Sequence, residues 1–537
     1  MGCNMAIADT LSSIMTNLSN AYDTIGSKGG TVPANRNLQN LASAIDTIQG
    51  GGGSNREYEL VTRTFSTFED TSSAYSFIGN GAFAYSPSLT EVSFPVCETI
   101  GSYAFQSCSA MNSISFPVCT SISAYAFNNC TGLTEASFPE CTSIGAYAFS
   151  RCLSLTTASF PKCTSIANNA FMYCSGLTTI SFPLCTHVGG FAFQNCSLLT
   201  TASFPKCVTI AGGDAFAMCS SLSDLSFPLC TSIGYGAFRN TPITAITTQM
   251  FPICKSIGAS NVIGNGAFQN CSLLSYASFP QCTHIGVNAF ASCPLLTNIA
   301  GLNTATFIGS SAFISCSGLT TANFPSCTIV SGSAFYSLSQ LATINFASCT
   351  KIGQYAFYWC SKITTANLPL CTEVGSSAFA RCSWLANVTL TKCQSVYSFA
   401  FQSCSSLATL LLPSCTTLNN GAFSMCSKLS NISLPLVTTI NNGTFYQCTS
   451  LSTLSLPKCS NIMASGFWFA SRLKSLYLMG SSFVTLGSTN AFANTPMSIS
   501  TYFTPNAYGS IYVPTSMLAS YKTMANWVTY SNRLVGI

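Results

Sequence analysis

The chain has 537 residues, of which 48% are hydrophobic and only 6% charged, and its net charge of +5 comes from 19 basic and 14 acidic residues. An average soluble chain is about 25% charged, and disordered chains are rich in charge and poor in apolar residues, so disorder is excluded. Basic residues scattered singly are no nucleic-acid footprint, and Ser, Thr, Gly or Pro breaks every apolar run well short of the ~18 residues that would span a bilayer.

The first fifty residues differ in kind from the rest. Ile7, Leu11, Ile14 and Leu18 are spaced by three and four, as are Leu38, Leu41, Ile45 and Ile48. This spacing predicts two amphipathic helices flanking a Val-Pro-Ala-Asn turn, a small module over residues 1–49 for anchoring or oligomerisation. Its apolar seams would also serve a homo-oligomeric coiled coil. The Gly-rich run within residues 50–56 reads as a flexible linker. The first lysine is Lys28, so no basic leader opens the chain and no cleaved export signal is expected.

From residue 57 onward the sequence becomes periodic, with residues 57–77 as an atypical first stretch that should cap the array. Ala-Phe recurs at Phe83, Phe105, Phe127, Phe149, Phe171 and Phe193 and continues to Phe423 with a step close to 22 residues, followed by weaker copies at Phe445, Phe467 and Phe492. A fixed period in this range marks a solenoid, in which no repeat buries its own apolar face and neighbours must stack. Length therefore measures repeat number, not domain number. In the unit LTTISFPLCTHVGGFAFQNC, residues 177–196, the alternation at Ile180-x-Phe182 predicts one short parallel strand per coil. Pro183 would end that strand, because it has no N–H to give to a neighbour. Gly189 would relax the return turn, and Phe193 would fill the interior.

Of the thirty cysteines, Cys97 to Cys207 follow one another every eleven residues. That regularity is part of the repeat, and disulfide frameworks belong to chains far shorter than this one. The expectation is two ladders of buried free thiols acting as small hydrophobes, interrupted singly at Val437, Asn240, Leu338 and Ala470. No Cys-x-x-Cys pair occurs, and a straight ladder cannot surround a zinc ion tetrahedrally. His187 and His284, the only histidines, occupy the same repeat position four coils apart. With no paired carboxylates and no glycine-rich phosphate loop, no catalytic residue, metal site or cofactor is expected.

The pattern Leu-x-x-Ile-x-Phe-Pro-x-Cys-x-x-Val-Gly-x-x-Ala-Phe-x-x-Cys resembles the leucine-rich repeat of the BspA-like type, over about residues 75–495 in some nineteen copies. The resemblance implies a mainly β, right-handed, curved solenoid of parallel strands, with the strands on the concave face, used mainly for binding at cell or virion surfaces. The array is assigned to residues 57–495. Two departures stand out: extra residues around 250–265, and a stretch at 299–307 without the Phe-Pro-x-Cys core. The C-terminal cap, residues 496–537, should hold a strand ending at Pro514 and then an amphipathic helix over residues 515–527.

Outward strand positions form columns of hydroxyls and amides that suit carbohydrate or peptide-backbone partners better than charged ones. The candidate ligand-binding residues are Thr157, Thr179, Thr201, Asp224, Tyr276, Asn298, Asn323, Asn345, Asn367 and Tyr477, with Trp359 and Trp384 as further aromatic deviations. Residues 31–45, Thr-Val-Pro-Ala-Asn-Arg-Asn-Leu-Gln-Asn-Leu-Ala-Ser-Ala-Ile with its central Asn35-Arg36, resemble short N-terminal segments of tail and fibre-like proteins from phages of gut bacteria. Together these features predict a non-enzymatic phage tail-associated protein. Residues 1–49 would dock to tail proteins, and the solenoid would bind a host-surface glycan or protein without inserting into the membrane. The alternative is a bacterial or protist BspA-like adhesin at the cell surface that engages host protein.

Overall fold

The computed structural model describes residues 67–69, 75–258, 266–498 and 508–537. The expected helical module, its anchoring residues Ile7, Leu11, Ile14, Leu18, Leu38, Leu41, Ile45 and Ile48, and the linker lie outside the described residues. Two compact units are present, one running to Cys207 and taking in Met218–Leu225, the other made of Val208–Ala217 and Ser226–Ile537. Each is a stack of parallel β coils, the mainly β solenoid expected from the repeat.

Each coil carries two strands, not one. The expected strand is present, for example as Thr179–Ser181, in register with Thr157–Ser159 of the preceding coil. A second, two-residue strand follows the first cysteine, as in Ser165–Ile166 paired with His187–Val188. This second ladder is the longer one. It joins six successive coils in the first unit and ten in the second, whereas the first ladder breaks into sheets of two to four strands. In this pair Ile166 and Val188 are buried while Ser165 and His187 face out. Two residues are too few for alternation to be seen in the sequence.

The return side is a chain of tight turns. The N–H groups of Asn169, Phe171 and Tyr173 donate to the next coil at 2.7–2.8 Å, while those of Met172 and Cys174 close turns within their own coil at 3.1 Å. Tyr173 is the third residue of the turn closed by Cys174 and has φ 61°, the left-handed value of a type II turn. Position by position, two columns of non-glycine residues share this backbone, including Tyr103, Tyr125 and Tyr147 in one and Arg151, Trp359 and Arg381 in the other. Gly189 does not relax a turn, as the sequence suggested. A Cβ there would sit 2.6 Å from the main chain of Ala167, so close coil-to-coil approach requires the glycine.

Two phenylalanine columns fill the interior. Phe171 stacks on Phe149 and Phe193 at 5.2 Å and meets Phe160 and Phe182 edge-on at 5.8 Å. From Leu368 onward the strand column changes to buried leucines. The cysteines are all buried and free among the described residues. They are also hydrogen-bond donors. Thiols of the first column reach the carbonyl two residues on, as Cys163 Sγ to Ser165 O at 3.3 Å. Those of the second cross to the preceding coil, as Cys174 Sγ to Phe149 O at 3.1 Å.

Two threonines in the second column also donate, but to a carbonyl of their own coil. Thr241, and not the Asn240 assigned from sequence, occupies the cysteine place, where its hydroxyl bonds Phe238 O at 2.7 Å and contacts Cys271 Sγ at 3.4 Å. Thr495 repeats this with Phe492 O at 2.7 Å. The same slot also takes Leu338 and Ala470, which are buried there without a side-chain donor.

The irregular places are absorbed locally. Thr67–Glu69 pairs in register with Glu91–Ser93, and Phe68 stacks on Phe94, so part of the expected N-terminal cap is a regular rung. In the stretch at 299–307 a 3-10 turn, Leu302–Thr304, takes up one extra residue, with Leu302 and Ala305 buried in place of the missing core. The C-terminal strand Ser510–Val513 forms as expected, but the helix does not: only Leu518–Tyr521 is α-helical, between 3-10 turns. Tyr521, Trp527 and Tyr530 are buried here and bond Val484 N, Val484 O and Thr489 O, so ring anchoring replaces helical periodicity. A final strand, Leu534–Gly536, pairs with Ser510–Val513 and has no repeat motif to announce it.

Candidate ligand-binding surface

Strand geometry sorts the hydroxyls into two sets. Thr134, Thr156 and Thr178, just before the strands, each donate to the carbonyl of the equivalent residue one coil back at 3.0–3.3 Å. These hydroxyls are spent on holding coils together. Their neighbours Thr157 and Thr179 point the other way, stand opposite each other in register, and have hydroxyls without a protein partner among the described residues. Thr179, Thr201 and Asp224 are exposed and Thr157 is half-buried; all four lie in the first unit.

The second unit holds the other candidates. Tyr276 is half-buried and opposes exposed Asn298. Asn345 donates to Asn323 Oδ1 at 2.8 Å, the start of an amide ladder, and Asn367 is exposed opposite Thr389. Tyr477 does not stand alone: it stacks on Tyr512 of the cap strand at 4.5 Å and 11°. The structure therefore brings the candidates together in short runs along the strand face.

The sequence missed a second surface, on the turn side. Tyr103, Tyr125 and Tyr147 form a stacked column with centroids 4.7–4.8 Å apart. In the second unit Tyr336 stacks on Tyr358 at 5.1 Å, Tyr355 meets Tyr358 edge-on at 5.6 Å, and the Arg381 guanidinium lies over Trp359 at 5.5 Å and Tyr358 at 6.0 Å. Trp359 and Trp384 are 49% and 58% exposed, which removes them from the interior, and both sit on turns rather than on the strand face. The available signal was Tyr-Ala-Phe recurring every 22 residues at Tyr103, Tyr125 and Tyr147.

Titratable groups are few and locally held. His187 Nδ1 pairs with Thr186 Oγ1 at 2.9 Å, whereas His284 stacks on Phe307 at 4.6 Å and burial lowers its pKa. Arg239 and Asp214 make an ion pair at 2.9 Å that is largely shielded from solvent. No group of three metal-ligating side chains is found among the described residues. No helix among them is long and apolar enough to cross a membrane.

A family model for the BspA type leucine rich repeat region matches residues 76–162, 142–261, 261–386 and 372–499. The chain belongs to the BspA-type leucine-rich repeat family. Among solved structures it is similar to a leucine-rich repeat protein from Bacteroides ovatus, at 24% identity over 67% of this chain and 82% of that one, with a TM-score of 0.46. It is also similar to a leucine rich cell surface protein from Faecalibacterium prausnitzii, at 22% identity over 60% of this chain and 87% of that one, with a TM-score of 0.33. No curated protein matches the chain.

Proposed function

We propose that this BspA-type chain is a non-enzymatic binding scaffold displayed at a bacterial surface, an adhesin that engages host glycan or protein. The observation that carries this reading is the strand face, where in-register hydroxyls and amides such as Thr157, Thr179, Asn323 and Asn345 present both donors and acceptors without charge. Most backbone groups behind them are already paired between coils. The ligand therefore meets side chains on a rigid support, which keeps the ordering cost of binding low.

A phage tail role rests on residues 31–45, which lie outside the described residues, and the family match favours the surface adhesin. Fractionation separates the two: the adhesin is expected on intact, uninfected cells, and its recovery only in purified virions would replace this reading with the tail one. The strand face is tested by Thr157→Lys/Thr179→Lys/Thr201→Lys. This variant is expected to lower adherence of the full chain to host cells about tenfold with its melting temperature within about 2 °C of the parent. Undiminished adherence would remove the strand face from the account.

A further inference from the structure

We propose that the turn-side cluster of Tyr336, Tyr355, Tyr358, Trp359 and Arg381 is a binding site for a carboxylated sugar, a uronic acid within a glycan chain. The proposal rests on the adhesin reading and assigns it a ligand class and a second surface. Arg381 is exposed and has no ion-pair partner among the described residues. Its guanidinium lies over two rings, which fixes it while leaving the N–H donors at its edge for a planar anion. A carboxylate matches that fork with two parallel hydrogen bonds.

The rings supply the rest of the site. Trp359, 49% exposed, and Tyr355, 36% exposed, offer apolar faces to the C–H face of a pyranose. The Tyr336, Tyr355 and Tyr358 hydroxyls have no hydrogen-bond partner among the described residues and can bond sugar hydroxyls. A peptide would need free backbone to pair with. Here the N–H groups of Tyr355, Trp359 and Arg381 already donate to the next coil at 2.7–2.9 Å, so an extended strand finds no donors.

The test is calorimetric titration of the full chain with trigalacturonate, its neutral galactose counterpart and inorganic sulfate. The parent is expected to bind trigalacturonate at least tenfold more tightly than either of the others. Arg381→Gln should lose at least tenfold and Tyr358→Phe at least threefold, with melting temperatures unchanged. No binding of trigalacturonate by the parent, or unchanged binding by Arg381→Gln, overturns the site. Sulfate binding as tightly as trigalacturonate overturns the uronate assignment in favour of a bare anion site. Adherence is measured on the same proteins: full adherence by Arg381→Gln sinks this site as the adhesive one, and a non-adherent parent sinks the adhesin reading instead.

Discussion

Phe171→Ala is expected to destabilise the array by about 3–5 kcal/mol, the range for emptying a fully buried aromatic position. Phe171 has no solvent exposure and touches four rings, two stacked at 5.2 Å and two edge-on at 5.8 Å. The surrounding coils cannot close on the cavity, because the ladders on both sides fix their spacing. In a repeat array the damage spreads through the interfaces with neighbouring coils, so the urea midpoint should fall and the transition broaden. Tyr173→Asn, two residues away on an exposed left-handed position, is the contrasting control and should change stability by less than about 1 kcal/mol. Equal effects of the two variants would contradict the interior described for Phe171.

Alkaline pH is expected to unfold the protein more steeply than its sparse charge suggests. Burial pushes the thiols of Cys108, Cys119, Cys163, Cys230 and Cys459 from 9.0 up to about 11, and those of Cys185, Cys360 and Cys426 up to about 12. Above pH 9 the unfolded chain loses thiol protons that the folded chain keeps, so stability declines as pH rises. The contribution is whole below pH 9 and disappears as pH passes through 11 to 12. Each pH unit within that window costs about 1.4 kcal/mol per thiol of this kind. The urea midpoint should be flat from pH 6 to 8 and fall sharply above 9; a flat profile through pH 10.5 would contradict thiol burial on this scale.

The fold was legible because its information repeats. Ala-Phe, Phe-Pro and the two cysteines recur with the period of the coil, and each recurrence reports the same buried position. What escaped was whatever a side-chain pattern does not encode. The second strand is only two residues long, and the turn-side ladder is made by N–H groups alternating between coils. The left-handed backbone at Tyr103 or Trp359 is invisible because the usual signal, glycine or asparagine, is absent there. The cysteine pattern shows burial but not the bonds the thiols make. Only the carbonyls within reach of their sulfurs reveal them as donors.

The candidate surface was half legible. Residues such as Thr157 and Asn345 could be placed on the strand face from alternation alone, but Thr156 and Thr157 look alike in sequence. One hydroxyl serves the coil-to-coil ladder, and the other has no protein partner among the described residues. Trp359 and Trp384 stand out in the sequence as deviations from the repeat, whereas the guanidinium over Trp359 depends on Arg381 lying one full coil later.

Two columns of reduced, hydrogen-bonded thiols form part of the solenoid's core, and mass spectrometry after alkylation without reductant reads them out. The 29 described cysteines should resist iodoacetamide in the folded protein at pH 7.5. All 30 in the chain should be modified once it is unfolded in urea. Pairs of cysteines from neighbouring coils that stay unmodified after unfolding, and become reactive only on reduction, would show bridges in place of donors and contradict the account.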